Sequence, residues 1–190
     1  EARRTRYIAD LGLPDYDATH LTASKRTADF FEEVTALSGL TGEMLRRRAK
    51  AVSNWTLTDV ARLLNASTQE LEETKLTPRH LSELLDLLDE GKLSTPLAKT
   101  VLEETFASGK APRLVAEEKG LSQISDTSSI EPVVRDVLGA NESAVADFLN
   151  GKDTAIKFLV GQVMKATRGQ ANPGLVNQML AEALEAMKTG

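Results

Sequence analysis

The sequence predicts an all-α protein of two small helical bundles joined by a polar hinge. Three observations carry that prediction. The apolar residues are mostly Leu, Ala and Val, and aromatics make up only 4% of the 190 residues, a mixture that suits helices packed on helices better than a β-sandwich. Apolar side chains recur at intervals of three and four between Gly, Pro, Ser and Thr, the periodicity of amphipathic helices. No stretch reads as a convincing strand. At 41% hydrophobic, the chain has enough apolar material for a packed core.

In order, residues 2–12, ARRTRYIADLG, read as a helix ending at a glycine, and residues 13–22, LPDYDATHLT, as a turn-rich connection. SKRTADFFEEVTALSG then places Phe31, Val34 and Leu37 on one face, with Phe30 beside them. Thr41 is positioned to cap the next helix, MLRRRAKAVSNWTLTDVARLLNA, with a break expected near Asn54-Trp55. Residues 66–75, ASTQELEETK, read as a polar linker or frayed end.

Thr77-Pro78 is a start signal, with a hydroxyl at the N-cap and a proline at N1, where its missing N–H does no harm. Leu81, Leu84, Leu85 and Leu88 follow at helical spacing until Gly91. Thr95-Pro96 repeats the device before Leu97, Ala98, Val101 and Leu102. Gly109 and Pro112 set off PRLVAEEK, which stops at Gly120. Residues 121–129, LSQISDTSS, carry little apolar content and read as the hinge, which puts the domains at 1–124 and 125–190. Beyond it, Ile130, Val133, Val134, Val137 and Leu138 form one stripe closed by Gly139. Asn141 is placed to cap ESAVADFL. A helix from Thr154 to Thr167 is expected to bury Ile156, Leu159, Val160, Val163 and Met164. Asn172-Pro173 starts the last helix, with Leu175, Val176, Met179, Leu180, Ala183, Leu184 and Met187 as its expected buried set.

Composition also narrows the function. A net charge of −5 means that any nucleic acid must be held by a local patch. The absence of cysteine closes disulfide and thiolate chemistry and fits a reducing, cytoplasmic compartment. His20 and His80 lie too far apart in sequence to suggest a metal cluster. No run approaches the roughly 18 apolar residues of a membrane span, and EARRTRY is no signal peptide. The chain lacks an initiator Met and reads as a piece of something longer. Phosphate-loop, nucleophile-elbow and zincin motifs are all missing. Adjacent pairs such as Glu32-Glu33 and Glu103-Glu104 point about 100° apart on a helix, so they read as solvated surface. Arg46-Arg47-Arg48 with Lys50 fans around a helix axis and is expected to be exposed and partly salt-bridged, contact with RNA or with a partner protein being the lesser option. Arg3, Arg4 and Arg6, at the terminus, say little.

The region around TRGQANP is richer. Between Gly151 and Gln170 the charged residues are Lys152, Asp153, Lys157, Lys165 and Arg168, a local excess of positive charge. At about 100° per residue, Lys157, Gly161, Lys165 and Arg168 fall within a sector of about 80°, beside the apolar one. Gly161 leaves a bare spot where another backbone could approach. Gly169 suits the C′ position of the first helix. Asn172 caps the next, whose free N–H groups would favour an anion. These features suit a sugar-phosphate, and they equally suit a plain turn. No aromatic interleaves the basic residues, so backbone and shape recognition are expected rather than base stacking.

The same residues carry a family resemblance. GKDTAIKFLVGQVMKATRGQANPGLVNQMLAEAL resembles the C-terminal tail of the B subunits of the bacterial tRNA-dependent amidotransferases, and the likeness extends upstream through RYIADLGLPDYDATHLT, ADFFEE, Asn54-Trp55 and LSTPLAKTVLEE. It covers essentially the whole chain and places its end at the family's C-terminus. The resemblance implies a helical domain followed by a YqeY-like tail that grips the elbow of tRNA(Gln) or tRNA(Asn) near the D-loop. It further implies the amidase (A) and small (C) subunits of the amidotransferase as partners. A preceding cradle domain, outside this chain, would use ATP and Mg²⁺ to convert Glu-tRNA(Gln) or Asp-tRNA(Asn) to the amide form. No cofactor or zinc position carries over to this chain.

Gly161, Lys165, Gly169, Ala171, Asn172 and Pro173 match the tail's characteristic block, and Lys152 matches its upstream Gly-Lys. Gln170 stands where many members have lysine, but can still hydrogen-bond a phosphate or a 2′-hydroxyl. The expected tRNA-binding set is therefore Lys152, Lys157, Gly161, Lys165, Arg168, Gly169, Gln170 and Asn172, with no catalytic residue. The competing expectation is a helical scaffold that docks partner subunits through exposed apolar surface around Phe30, Phe31 and Trp55.

Overall fold

The structure, a computed structural model, describes residues 1–189. Among the described residues it is all-α, without a strand. The chain divides into two compact units, Glu1–Glu90 with Ala98–Gly120, and Gly91–Leu97 with Leu121–Gly190.

The first unit begins with helix α1, Ala2–Ala9, followed by α2, Asp15–Leu21. A helix thus occupies much of the expected turn-rich connection. With Leu13, Ala18 and Leu21 all buried and Asp15 and Asp17 complementing the dipole of the first turn, seven residues are enough once there is a surface to pack on. Helix α3, Lys25–Leu37, starts at Ser24, whose hydroxyl accepts the Thr27 N–H. It buries Phe30, Phe31 and Val34, while Leu37 stays 43% exposed at its last turn. Phe31 meets the Tyr7 ring at 4.8 Å between centroids.

Helix α4, Gly42–Trp55, does not break at Asn54-Trp55. It widens into a π segment, Thr56–Val60, and continues as α5, Ala61–Ser67. The wider turn accommodates one extra residue, so the buried face slips but is not lost: Trp55, Thr56, Asp59 and Val60 are all buried. A 3₁₀ turn at Leu71–Glu73 interrupts the polar stretch. Helix α6, Pro78–Asp89, starts as expected at Thr77 and buries Leu81, Leu84 and Leu85, with Leu87 inside and Leu88 half-buried. Helix α7, Thr95–Ser108, whose residues up to Leu97 count with the second unit, is capped one residue early, by Ser94, whose hydroxyl accepts the Leu97 N–H at 3.4 Å. Helix α8, Pro112–Glu118, completes the unit.

The second unit holds α9, Thr127–Ala140; α10, Glu142–Leu149; α11, Ala155–Ala166; and α12, Pro173–Thr189. Ile130, Phe148, Leu159, Val163, Val176, Leu180 and Leu184 form its core, with Ile156, Val160 and Met164 packed at the edge. Each fully buried Leu or Ile contributes about 1.5–3 kcal/mol. Met187, expected inside, is 48% exposed; it edges an open groove with Leu138, Val145 and Leu149. Asn141 makes no side-chain cap for α10; its amide instead donates to the Val137 carbonyl at 2.7 Å and closes α9. The polar stretch 121–129 is partly structured. Asp126 caps α9 through the Ser129 N–H at 3.0 Å. Ile124 forms a parallel bridge with Ala171.

Candidate nucleic-acid interface

The TRGQANP corner is built from both sides. Arg168 donates its backbone N–H to Lys165 O at 3.1 Å, and Gly169 donates to Met164 O at 2.7 Å. This pair of bonds is the Schellman closure of a helix. Arg168 therefore takes the C′ place expected of Gly169, at φ +52°, and Gly169 follows at φ +77°. A left-handed non-glycine residue costs about 1–2 kcal/mol, so the fold holds the arginine in a conformation it does not prefer. The Thr167 hydroxyl bonds back to Val163 O at 2.9 Å and receives the Ala171 N–H at 3.4 Å. Ala171 is fully buried. Ile124 closes the corner by donating to Gln170 O at 2.6 Å and accepting from Asn172 N at 2.8 Å.

The start of α12 offers no open donors for an anion. The Asn172 side-chain oxygen accepts the N–H of Gly174 at 3.0 Å and of Leu175 at 3.2 Å. Pro173 has no N–H, and Val176 N donates to Asn172 O. The expectation of free N–H groups is overturned because the cap itself has taken them.

What remains for a ligand is charge on the outer face of α11. Lys157, Gly161 and Lys165 stand one turn apart and are exposed, and Arg168 extends the same side at the corner, also exposed. Among the described residues, none of Lys157, Lys165 and Arg168 has a carboxylate within ion-pair distance. Gly161 is helical, and a Cβ built on it would meet nothing; the fold has no packing need for glycine there.

The other expected residues play different parts. Lys152 is paired with Asp147 at 2.9 Å. Gly169, Gln170 and Asn172 have bonds within the corner, Gly169 O accepting the Ser94 hydroxyl at 3.4 Å, and all three are half-buried. One residue escaped the sequence reading. Phe158 is 51% exposed, next to Lys157 and a turn from Gly161. The helical wheel that sorted the basic residues puts it at about 100° from Lys157, beside Lys165 at about 80° and outside the buried sector. An aromatic does interleave the cations.

Cations of the first unit are largely spent on the fold. Lys50 bonds Asp17 at 2.7 Å, Arg62 bonds Glu103 at 2.8 Å and Arg26 bonds Glu72 at 2.5 Å. Arg4 pairs with Asp15 and Arg6 with Glu32. The arginine triplet disperses: Arg46 donates to Asp10 O, Arg47 reaches Glu43 at 3.5 Å, and Arg48 lies buried between Asp86 at 2.6 Å and Asp89 at 2.9 Å. Phe30, Phe31 and Trp55 are buried, so the apolar surface expected of a docking scaffold is not formed by them. A cavity of about 390 Å³ in this unit is lined by Tyr7, Leu11, Phe31, Leu40 and Leu45 with Arg6 and Glu32. Burial, and then the bond to Glu32, pushes the Tyr7 hydroxyl well above its usual value, which keeps it a donor rather than a base.

Residues 29–184 match the GatB domain family. The chain belongs to the GatB family. It is 45% identical over 182 residues to the aspartyl/glutamyl-tRNA(Asn/Gln) amidotransferase B subunit of Thermoanaerobacter sp. (strain X514). It is 46% identical over 183 residues to the protein of that name from Enterococcus faecalis and 48% over 184 residues to that from Moorella thermoacetica. These matches cover 96–97% of the chain, which spans 37% of the length of these GatB relatives. The whole basic corner lies inside the matched stretch. Among the described residues no group of three His, Cys, Asp or Glu could hold a metal ion. Among them, too, no helix is long and apolar enough to cross a membrane.

Proposed function

We propose that the second unit grips the body of tRNA(Gln) or tRNA(Asn) for an ATP-dependent amidotransferase that makes Gln-tRNA(Gln) or Asn-tRNA(Asn) from the misacylated forms. The relatives' name supplies the reaction and the tRNA class. The observation that carries the role of this unit is the exposure of Lys157, Lys165 and Arg168 without carboxylate partners, in a chain of net charge −5. Cations left unneutralised by their own protein attract phosphate, and each phosphate contact adds about 0.9 to the log–log salt slope on a B-form duplex. Recognition of the elbow and D-loop rests on shape and backbone contacts rather than on hydrogen bonds to base edges. The amidase and small subunits of the amidotransferase complete the enzyme in the cytoplasm, and ATP and Mg²⁺ act in a part of the GatB protein that this chain does not include.

The test is a titration of full-length tRNA(Gln) or tRNA(Asn), and of an elbow-deleted variant, against this chain and its Lys165→Glu/Arg168→Glu form. The double variant is expected to bind at least tenfold more weakly with an unchanged melting temperature and a shallower salt slope. The parent is expected to lose affinity for the elbow-deleted RNA. Full tRNA affinity of the double variant at moderate salt would sink the assignment.

A further inference from the structure

The ring of Phe158 lies outside the core cluster of its unit. Leu159 and Val163 supply the fully buried contacts of α11, and Ile156, Val160 and Met164 line the edge of the core. Phe158 is not part of that core and is 51% exposed, more than Leu149 at 38% or Met187 at 48% in the same unit. A lone exposed apolar side chain is ordinary. This one stands among Lys157, Gly161 and Lys165, two uncompensated cations and a bare stretch of backbone. Cations that hold a phosphate chain, with an aromatic face beside them, make the arrangement on which unpaired bases stack. Gly161, one turn along, removes the side chain that would otherwise crowd a base lying on the ring.

We infer that Phe158 is a stacking platform for an unpaired nucleobase of the RNA held by the Lys157–Lys165 face. The inference rests on the tRNA-body reading and sharpens it: the ligand is a structured RNA with a splayed loop base, not a continuous duplex. Every base has a π-face, so the contact is tolerant of base identity, while requiring that the base be free of its helix.

The experiment compares the 190-residue chain with Phe158→Ala, Phe158→Leu and Phe158→Trp, titrated against full-length tRNA and against a blunt RNA duplex without unpaired bases. Phe158→Ala and Phe158→Leu are each expected to weaken tRNA binding roughly 5- to 150-fold, the range for loss of one stacked base. The salt slope stays unchanged, since no phosphate contact is lost. Duplex affinity and melting temperature are expected to stay at parent values. Phe158→Trp should retain tRNA affinity, and its added fluorescence should be quenched by tRNA but not by the duplex. If Phe158→Leu binds tRNA like the parent, or Phe158→Ala weakens tRNA and duplex equally, the stacking role is overturned. In either case Lys165→Glu/Arg168→Glu reports separately: weakened binding there leaves the basic site standing, and unweakened binding removes both readings.

Discussion

Arg168 donates its backbone N–H to the carbonyl of Lys165 at 3.1 Å from a left-handed conformation, φ +52°, so two cations of the candidate site share one helix-closing turn. The Cα–Cβ bond of Arg168 is thereby fixed in direction by the backbone beneath it.

Replacing Arg168 with glycine separates stability from binding. Glycine accepts the left-handed C′ place freely, so Arg168→Gly is expected to stabilise the second unit by about 1 kcal/mol. The same change removes a phosphate contact and should lower the salt slope for tRNA by about 0.9. Denaturant melts and a salt-dependent gel-shift series check the two halves. A variant that is both less stable and equally adhesive would contradict both.

Gly161 offers a second contrast. Alanine meets no neighbour there and should stabilise the mid-helix position by about 0.5–1 kcal/mol. Gly161→Leu should leave the fold intact while weakening tRNA binding, because the bulk would stand where the ligand approaches. Gly109 provides the opposite control: with φ +80° and Lys75 Cβ only 3.1 Å from a built Cβ, Gly109→Ala should destabilise the first unit.

The regular helices were legible in the sequence and the irregular joints were not. The buried stripes of α6, α9 and α11 repeat every three or four residues with few interruptions, and they were legible. Helix α2 was not, because two buried residues in seven, Ala18 and Leu21, do not make a pattern. The π segment was missed because one extra residue imitates a break. At the corner, glycine's preference pointed to Gly169, whereas the helix stops one residue sooner and leaves the left-handed place to Arg168. The bridge from Ile124 to Ala171 joins residues far apart in sequence and has no local signal. Phe158 was passed over, although the wheel that grouped the lysines puts it outside the buried sector.

The buried ion cluster of the first unit should respond asymmetrically. The Arg48 side chain is 6% exposed, but those of Asp86 and Asp89 are 47% and 70% exposed. Arg48→Met leaves two hydrated carboxylates behind and should cost less than about 2 kcal/mol. Asp86→Asn/Asp89→Asn strands a buried guanidinium and should cost about 3–5 kcal/mol. Urea denaturation of both variants checks the order.

Helix α6 carries a pH dependence. Thr77 N donates to His80 Nδ1 at 3.3 Å, and the Thr77 hydroxyl accepts the His80 N–H at 3.3 Å, a reciprocal cap that requires neutral imidazole. Burial pushes His80 below its usual value, opposed by Glu83. The unfolded chain therefore takes up the proton first as pH falls. The contribution of His80 is complete above about 6.5 and shrinks as pH drops below it. His80→Gln, which can still form the cap, should flatten the loss of stability between pH 7.5 and 5 measured by denaturant titration.

The division of the chain bears on how its parts can be separated. Gly91–Leu97 count with the second unit although Ala98–Gly120 return to the first, so each unit is assembled from two pieces of sequence, interleaved along the chain. Neither can be released by cutting a single peptide bond. A fragment beginning at residue 125 would lack both Ile124, which ties the basic corner at Gln170 and Asn172, and Ser94, whose hydroxyl bonds Gly169. During synthesis the first unit stays incomplete until a stretch belonging to its neighbour has already been made, which makes the pair a poor candidate for exchange of either half between proteins.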